Sequence, residues 1–353
     1  MALRQCIELG YHRSVTRFRS KSDPLRLELQ KRAFWCTYGL DCSAAIHLGR
    51  PLGLSQSEID AELPLDVDSA NLSKNGISGP LRTAVTEPAT DMSLTIHVIR
   101  LRCLWARIHT SLYSDIASCS PDHPTYGTRI AHLRAELEAW FTSAPPVRSR
   151  SDRVLSIFGS IDWFKMNYHY CILLIYRGQL IKSSGIPDEV FAECLQAAQS
   201  ICHGYRRQYI GKGINYTWGS LHFLFTAGLT YLHCIWASPV IRETIRYDDM
   251  SKTCSDCTMV LVVMAERWTS TAPYRDLFEA LSSHTMTMLV KKNHERWQLP
   301  GPVAPTPVLS PDHDDLRQWM IAIADTGMSD GMDDLLTGLV GEFPAFEATD
   351  TDI

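Results

Sequence analysis

Apolar residues recur three and four positions apart through most of this 353-residue chain. That spacing buries one face of an α-helix, whereas alternating β-branched runs bounded by hairpin turns, which predict strands, hardly occur. The sequence therefore predicts an all-α fold, an irregular multi-helix bundle. The predicted helices span residues 1–9, 24–48, 91–117, 125–142, 154–181, 187–209, 217–237, 251–268, 273–291 and 314–324.

Two helix boundaries are predicted from local chemistry. Gly49 supplies a left-handed residue after the helix 24–48, and Pro51 then prevents the helix from continuing. Ser55 and Glu58 have the spacing of a capping box, in which each side chain satisfies a free amide at a helix start. We therefore expect a short helix from residue 56 toward residue 62.

Proline and turn-forming residues divide the chain. Asparagine, serine, glycine and proline are frequent in residues 66–88, which predicts a surface loop. Five prolines between residues 299 and 311 favour an extended linker. We therefore predict a helical domain over residues 1–298, a proline-rich linker over 299–311 and an acidic tail over 312–353.

The charge of the chain is unevenly distributed. Residues 312–353 contain 11 acidic side chains and one basic side chain, a net charge of −10. Because the total is −5, subtracting −10 leaves +5 for the rest of the chain. A mildly basic body lacks the concentrated positive face of a DNA-binding domain.

The composition also limits where the protein works. Apolar residues make up 45% and charged residues 21% of the chain, which is typical of a globular protein. No uncharged apolar run of about 18 residues is present, so neither a membrane span nor a signal peptide is predicted. The 11 cysteines are scattered through helical patterns, which favours buried reduced thiols in the cytosol or nucleus.

No residue pattern predicts catalysis or metal binding. Cys254 and Cys257 have zinc-knuckle spacing, but no second pair follows and the next residues form an apolar helical run. His169, His222 and His233 lie in apolar helical windows, where histidines satisfied by neighbouring groups are more common than catalytic ones. The nucleophile elbow, the phosphate-binding loop and the dinucleotide-binding glycine motif are absent from the sequence. We predict no enzymatic activity and no catalytic, cofactor-binding or metal-binding residues.

Several segments carry a family resemblance. Residues 32–51 read Arg-Ala-Phe-Trp-Cys-Thr-Tyr-Gly-Leu-Asp and end in Leu-Gly-Arg-Pro, residues 9–13 read Leu-Gly-Tyr-His-Arg, and residues 59–64 read Ile-Asp-Ala-Glu-Leu-Pro. Together with residues 221–231 and 265–281, they resemble the fungal-specific transcription factor domain, or middle homology region, of zinc binuclear cluster (Zn2Cys6) transcription factors. The signature residues are Arg32, Phe34, Trp35, Tyr38, Asp41, Leu48, Gly49, Arg50 and Pro51.

The resemblance implies a nuclear transcription regulator that controls a biosynthetic or catabolic gene cluster. Such factors carry six cysteines that hold two zinc ions and contact DNA, and that pattern is absent from these 353 residues. We therefore expect zinc only in a full-length relative with the cysteine cluster, and no direct DNA binding by this chain. A truncated gene model and a natural short form both explain the difference.

One signature residue is unusual in a helix that buries its apolar face. Asp41 lies on the stripe formed by Phe34, Tyr38, Ala45 and Leu48. A carboxylate there requires a partner. We predict that Asp41 accepts hydrogen bonds from an arginine, with Arg50 as the candidate, and so fixes the turn after the helix.

The tail alternates acidic with bulky apolar residues, a composition typical of acidic activation regions that bind coactivators. A tail whose helices pack on the body is the alternative. The predicted coactivator contacts are Trp319, Leu335, Leu336, Phe343 and Phe346.

Two other functions stay open at this stage. The chain agrees with a partner subunit that binds no DNA itself and forms a homodimer or a heterodimer with an intact zinc-cluster factor through its helical face. It also agrees with a helical enzyme of a biosynthetic cluster that lacks familiar motifs.

Overall fold

A computed structural model describes residues 1–14, 23–113, 123–146, 161–182, 185–209, 217–296, 318 and 320–323. Over these ranges the chain forms ten named α-helices, one short hairpin and a helical stretch at residues 318 and 320–323, which confirms the all-α prediction. The helices are α1 Ala2–Glu8, α2 Pro24–Leu48, α3 Ser93–Leu112, α4 Tyr126–Thr142, α5 Ile161–Lys182, α6 Asp188–Tyr209, α7 Trp218–Ala237, α8 Pro239–Thr244, α9 Tyr247–Arg267 and α10 Ala272–Arg296.

Helix α2 has the predicted bounds because both of its ends are capped. The Asp23 side chain accepts the amide of Arg26 at 2.8 Å, and Pro24 occupies the first helical position. At the other end Gly49 adopts the left-handed conformation, with φ of 61°, and its amide bonds to the carbonyl of Ala45. Local signals of this strength fix a boundary without tertiary information.

Other helix boundaries differ from those predicted from the sequence. Helix α9 begins at Tyr247, four residues before the predicted residue 251, with Asp248 and Asp249 in its first turn, where carboxylates are favoured by the helix dipole. Helix α3 ends at Leu112, earlier than the predicted residue 117. Residues 154–160, the predicted beginning of α5, lie outside the described residues.

The predicted capping box is wrong. The helix expected after Ser55 is a single 3-10 turn, Gln56–Glu58, and the Ser55 side chain makes no capping bond. The Ser55 hydroxyl instead lies 2.8 Å from that of Ser57, and Glu58 forms an ion pair with Arg13 at 3.3 Å. Both side chains that would form the box are therefore used elsewhere.

Two small elements were missed. Within the predicted loop 66–88, Leu72–Ser73 pairs antiparallel with Gly76–Ile77. Strands of two residues are too short for an alternating pattern to be recognised. Helix α8 has only six residues, again too few to show helical periodicity, and it begins after a bond from the Ile241 amide to the Ser238 hydroxyl.

The chain forms two compact units, Met1–Gly178 and Gln179–Ile353. In the first unit, α2 packs against α1 and α3, and α4 packs against α3. In the second, α7 is the central helix: every residue from 221 to 232 is buried, and α6, α8, α9 and α10 pack around it. No helix within the described ranges has the length and apolar character of a membrane-spanning segment.

Gly228 lies where α7 approaches two neighbouring helices. A methyl group added at its Cα would lie 2.6 Å from Cε2 of Phe278 in α10 and 3.0 Å from Sγ of Cys257 in α9. We expect Gly228→Ala to lower the free energy of unfolding by about 1–3 kcal/mol, because the packed neighbours must move. Gly127→Ala is the control, since a methyl group there meets no atom within 4 Å. Urea unfolding followed by circular dichroism checks this, and equal midpoints for the two variants would contradict it.

Candidate functional site

The signature aromatic residues of α2 form the core of the first unit. Phe34 and Tyr38 are fully buried and Trp35 nearly so. The ring of Phe34 stacks on Tyr38 at 6.0 Å, and the rings of Trp35 and Tyr38 meet edge to face at 5.7 Å. The buried cluster around them consists of Leu3, Cys6, Phe34, Trp35, Tyr38, Cys42, Ile99, Cys103 and Ala106.

Asp41 fixes the turn after α2 through a backbone group and not through an arginine. Its Oδ2 accepts the amide of Gly53 at 2.9 Å. Arg50 is exposed and forms no ion pair with a described residue, so the predicted pair is wrong. A Cβ at position 53 would lie 2.8 Å from Asp41 Oδ1, so glycine permits an approach that a side chain would block. The turn after α2 is stabilised because the carboxylate of Asp41 binds the amide of Gly53.

Sequence reasoning missed a second carboxylate on α2. The side chain of Glu28 is 1% exposed. Its Oε1 accepts Nε of Arg32 at 3.1 Å and the amide of Leu65 at 2.9 Å, while Lys31 Nζ lies 4.0 Å from Oε2. The sequence does contain a signal for this ion pair, because Glu28 precedes Arg32 by four positions, the spacing that brings two side chains together on a helix. The bond to Leu65 had no signal in the sequence.

Another bond places the returning chain along α2. The indole Nε1 of Trp35 donates to the carbonyl of Glu62 at 2.9 Å. Going down α2, residues 41, 35 and 28 contact residues 53, 62 and 65 of the following segment. The segment 52–65, here called the return segment, therefore runs antiparallel to the helix.

The chain after α1 pairs with the return segment. The carbonyl of His12 accepts the amides of Asp60 and Ala61 at 3.2 and 3.1 Å. The amide of Ser14 donates to Oδ1 of Asp60 at 2.8 Å. The Leu-Gly-Tyr-His-Arg and Ile-Asp-Ala-Glu-Leu-Pro segments, which are about 50 residues apart in the sequence, are thus in direct contact.

A third carboxylate joins the predicted surface loop to α3. Asp66 Oδ2 pairs with Arg82 at 3.2 Å. Asp66 Oδ1 accepts the hydroxyls of Thr90 at 2.5 Å and Ser93 at 2.7 Å. The polar loop is therefore held by its carboxylate at the start of α3.

The remaining signature residues serve chain geometry. Arg32 contacts Ser69 in addition to Glu28, since its Nη1 donates to the Ser69 hydroxyl at 3.0 Å. Leu48 is half-buried at the end of α2, and Pro51 is exposed. The structure brings Arg32, Phe34, Trp35, Tyr38 and Asp41 into the packing of α2 with its return segment, and it leaves Arg50 and Pro51 at the surface.

The paired cysteines of α9 are placed as core residues. Cys254 and Cys257 are buried one turn apart. Burial raises the pKa of Cys254 to about 12 and that of Cys257 well above its usual value. Metal binding requires thiolates, which these surroundings disfavour. No three histidine, cysteine or carboxylate side chains in the described part of the chain are grouped as metal ligands.

The three histidines singled out from the sequence differ in their surroundings. His233 Nε2 lies 3.1 Å from the carbonyl of Leu180, as expected for a satisfied histidine. His169 departs from that expectation, because its Nδ1 is buried without a hydrogen-bond partner in the described structure. Burial lowers the pKa values of His169 and His222 to about 4, so both are neutral near pH 7.

The predicted coactivator contacts and the linker 299–311 lie outside the described residues. In the predicted helix 314–324, residues 318 and 320–323 are described and are helical.

The signature residues thus belong to a helical domain in which side chains of α2 hydrogen-bond to the return segment that runs along it. The profile described as "Fungal specific transcription factor domain" matches residues 1–142, the range that contains α1 to α4 and the return segment. Residues 1–142 are therefore similar to a fungal specific transcription factor domain, and the chain is similar to fungal transcription regulators.

Three relatives illustrate this. The "Positive regulator of purine utilization" of Emericella nidulans is 22% identical over 304 residues, which cover 74% of this chain and 28% of the relative. The "Pyrimidine pathway regulatory protein 1" of Saccharomyces cerevisiae is 27% identical over 65% of this chain and 25% of the relative. The "Transcriptional activator protein acu-15" of Neurospora crassa is 29% identical over 50% of this chain and 19% of the relative. The matches therefore span less than a third of each of these relatives. No solved structure matches the chain significantly.

Glu28 offers a direct test of the packing of α2. We expect Glu28→Ala to lower the free energy of unfolding by about 2–4 kcal/mol, because it leaves the half-buried Arg32 and the Leu65 amide without their acceptor. Arg50→Ala is the control and should change it by less than about 0.5 kcal/mol. Urea titration of the three proteins measures both effects. A Glu28→Ala protein as stable as the control would show that this carboxylate does not hold the return segment.

Proposed function

We propose that this chain acts in the nucleus as the regulatory part of a zinc-cluster-type transcription factor. The match of residues 1–142 to the family domain carries the proposal. The matched segments also contact one another, since His12 bonds to the return segment and that segment bonds to α2. The helical body serves as a platform that either inhibits transcription activity or responds to an effector. No residue is assigned a catalytic role.

The names of two relatives suggest the type of target. One regulates purine utilization and another the pyrimidine pathway. We therefore propose that this chain controls a set of genes for catabolism or biosynthesis. Its acidic tail supports an activating role, because carboxylates keep a segment solvated while bulky apolar groups bind coactivator grooves.

A reporter assay tests the activation role. Residues 300–353 and the complete chain are each fused to a heterologous DNA-binding domain in fungal cells. We expect the tail fusion to raise reporter output, and its variant with alanine at the five predicted contacts to return output to that of the unfused DNA-binding domain, because the grooves lose their apolar ligands. The variant keeps the length and charge of the tail. Background output from the unaltered tail, at equal protein level, would reject the activation role.

A second candidate function, that of a partner subunit, is favoured by an exposed stripe on α2. Leu29 and Leu40 are 53% and 68% exposed. Ala33, Cys36 and Ala44 are exposed between and beyond them. The spacings of four, three, four and four residues place all five on one helical face, the pattern by which two helices pack together. We propose this face, here called the α2 stripe, as a contact surface for the same domain of an intact zinc-cluster factor.

Affinity capture from a nuclear extract tests the partner function. We expect the unaltered chain to recover a protein that carries the six-cysteine zinc cluster, and Leu29→Glu with Leu40→Glu to lose it, since charges cannot be buried in the apolar contact. Leu9→Glu changes an equally exposed leucine, 64% exposed, and should not affect recovery. Recovery that does not depend on the α2 stripe, or no zinc-cluster protein at all, would contradict the partner function.

A further inference from the structure

The first unit contains a cleft that none of the signature residues explains. Its volume is about 210 Å³. It lies between residues 63–66 at the end of the return segment, loop residues 81–85 and the first turns of α3, with Ser143 and Pro145 after α4 at one side. Pockets for drug-sized ligands are about 300–1,000 Å³, so this cleft suits a smaller molecule.

His97 on the wall of the cleft has an incomplete set of partners. It is 2% exposed, and its ring stacks on Trp140 with centroids 4.7 Å apart and 11° between the planes. Phe164 meets the same ring edge to face at 5.2 Å. The Nε2 atom is buried and has no hydrogen-bond partner among the described residues. Buried polar atoms are usually paired, so His97 is a lining residue with unused hydrogen-bonding capacity.

The imidazole of His97 is a neutral donor near pH 7. Burial, and then the positive charges of Arg100 and Arg82, lower its pKa to about 4. Neutral imidazole carries one N–H and one acceptor nitrogen. It therefore offers a hydrogen bond to an anion without the cost of a buried charge.

The two arginines of the lining differ in what they are free to bind. Arg82 is fully engaged, by Asp66 at 3.2 Å and by the carbonyls of Glu87 and Val85 at 3.1 and 2.9 Å. Arg100 is exposed and has no ion pair in the part of the chain that the structure describes. Since Asp66 is neutralised by Arg82, the described residues of the lining carry one uncompensated positive charge. That arrangement selects a ligand with a single negative charge.

We propose that this cleft binds a small monocarboxylate with an apolar body. The carboxylate pairs with Arg100 and accepts the N–H of His97, and the apolar body packs against Leu63, Leu65 and Ile96. In the proposed function, such an acid is the effector to which the helical body responds. The binding itself is independent of that function and is measured without transcription.

Calorimetric titration of the full chain tests the site with chosen probes. Phenylacetate, isovalerate and hexanoate supply the carboxylate with different apolar bodies, and phenylacetamide is the uncharged match of the first. We expect at least one acid to bind saturably, and Arg100→Gln to weaken it about tenfold, as is typical for loss of a charge-assisted hydrogen bond. Arg100→Lys should restore part of the affinity, and Arg50→Gln, at another exposed arginine, should leave it unchanged.

Three results would overturn the proposal. The first is that no acid binds saturably up to about 10 mM, a concentration beyond the range of ordinary specific binding. The second is equal affinity for phenylacetate and phenylacetamide. The third is an affinity that Arg100→Gln does not change. A chain that drives the reporter but binds none of the acids loses this site and keeps its proposed function. A chain that binds them but leaves the reporter silent keeps the site and loses the activation role.

Discussion

The buried carboxylate of Glu28 constrains the path of the chain through the first unit. A charge this far from water is tolerated only when it is paired and hydrogen-bonded, because the cost of desolvating it is several kcal/mol. Arg32 on the same helix and the amide of Leu65 both donate to Oε1, whereas Oε2 has only Lys31 Nζ at 4.0 Å and no hydrogen-bond partner among the described residues. A shift of the return segment by one residue would leave the carboxylate without its amide. This bond therefore acts together with those of Asp41 and Trp35 to set the position of the return segment along α2.

The consequences extend from the core to the cleft. Leu65, held by Glu28, is followed directly by Asp66, which is bonded to Arg82, Thr90 and Ser93. These bonds attach the loop 81–85 and the first turn of α3 to the return segment, and all three line the cleft. Glu28 of α2 is thus linked to a distant part of the unit through side-chain bonds of Glu28 and Asp66. Packing and the proposed binding site share one polar framework.

Prediction succeeded where the information was local and failed where it depended on a distant segment. Helix α2 was predicted at both ends because Asp23, Pro24 and Gly49 act within one helical turn. The partner of Asp41 was wrongly predicted. The sequence offered Arg50, nine residues away, and the amide of Gly53, twelve residues away, and the path of the turn after α2 determines which of them contacts the carboxylate. The cleft was not predicted at all, because its walls come from segments as far apart in the sequence as Leu63 and Pro145, which are 82 positions apart.

Helical periodicity, helix caps and the absence of strand patterns determined from the sequence alone that this protein is all-α, since these signals involve neighbours along the chain. The same order of segments gave the resemblance to a family that the profile then matched over residues 1–142. Only the tertiary structure decided which carboxylates are buried, which backbone amides they hold and where His97 and Arg100 face a common space. These features depend on the packing of helices and loops, because the segments that surround a buried charge or imidazole supply its hydrogen-bond partners.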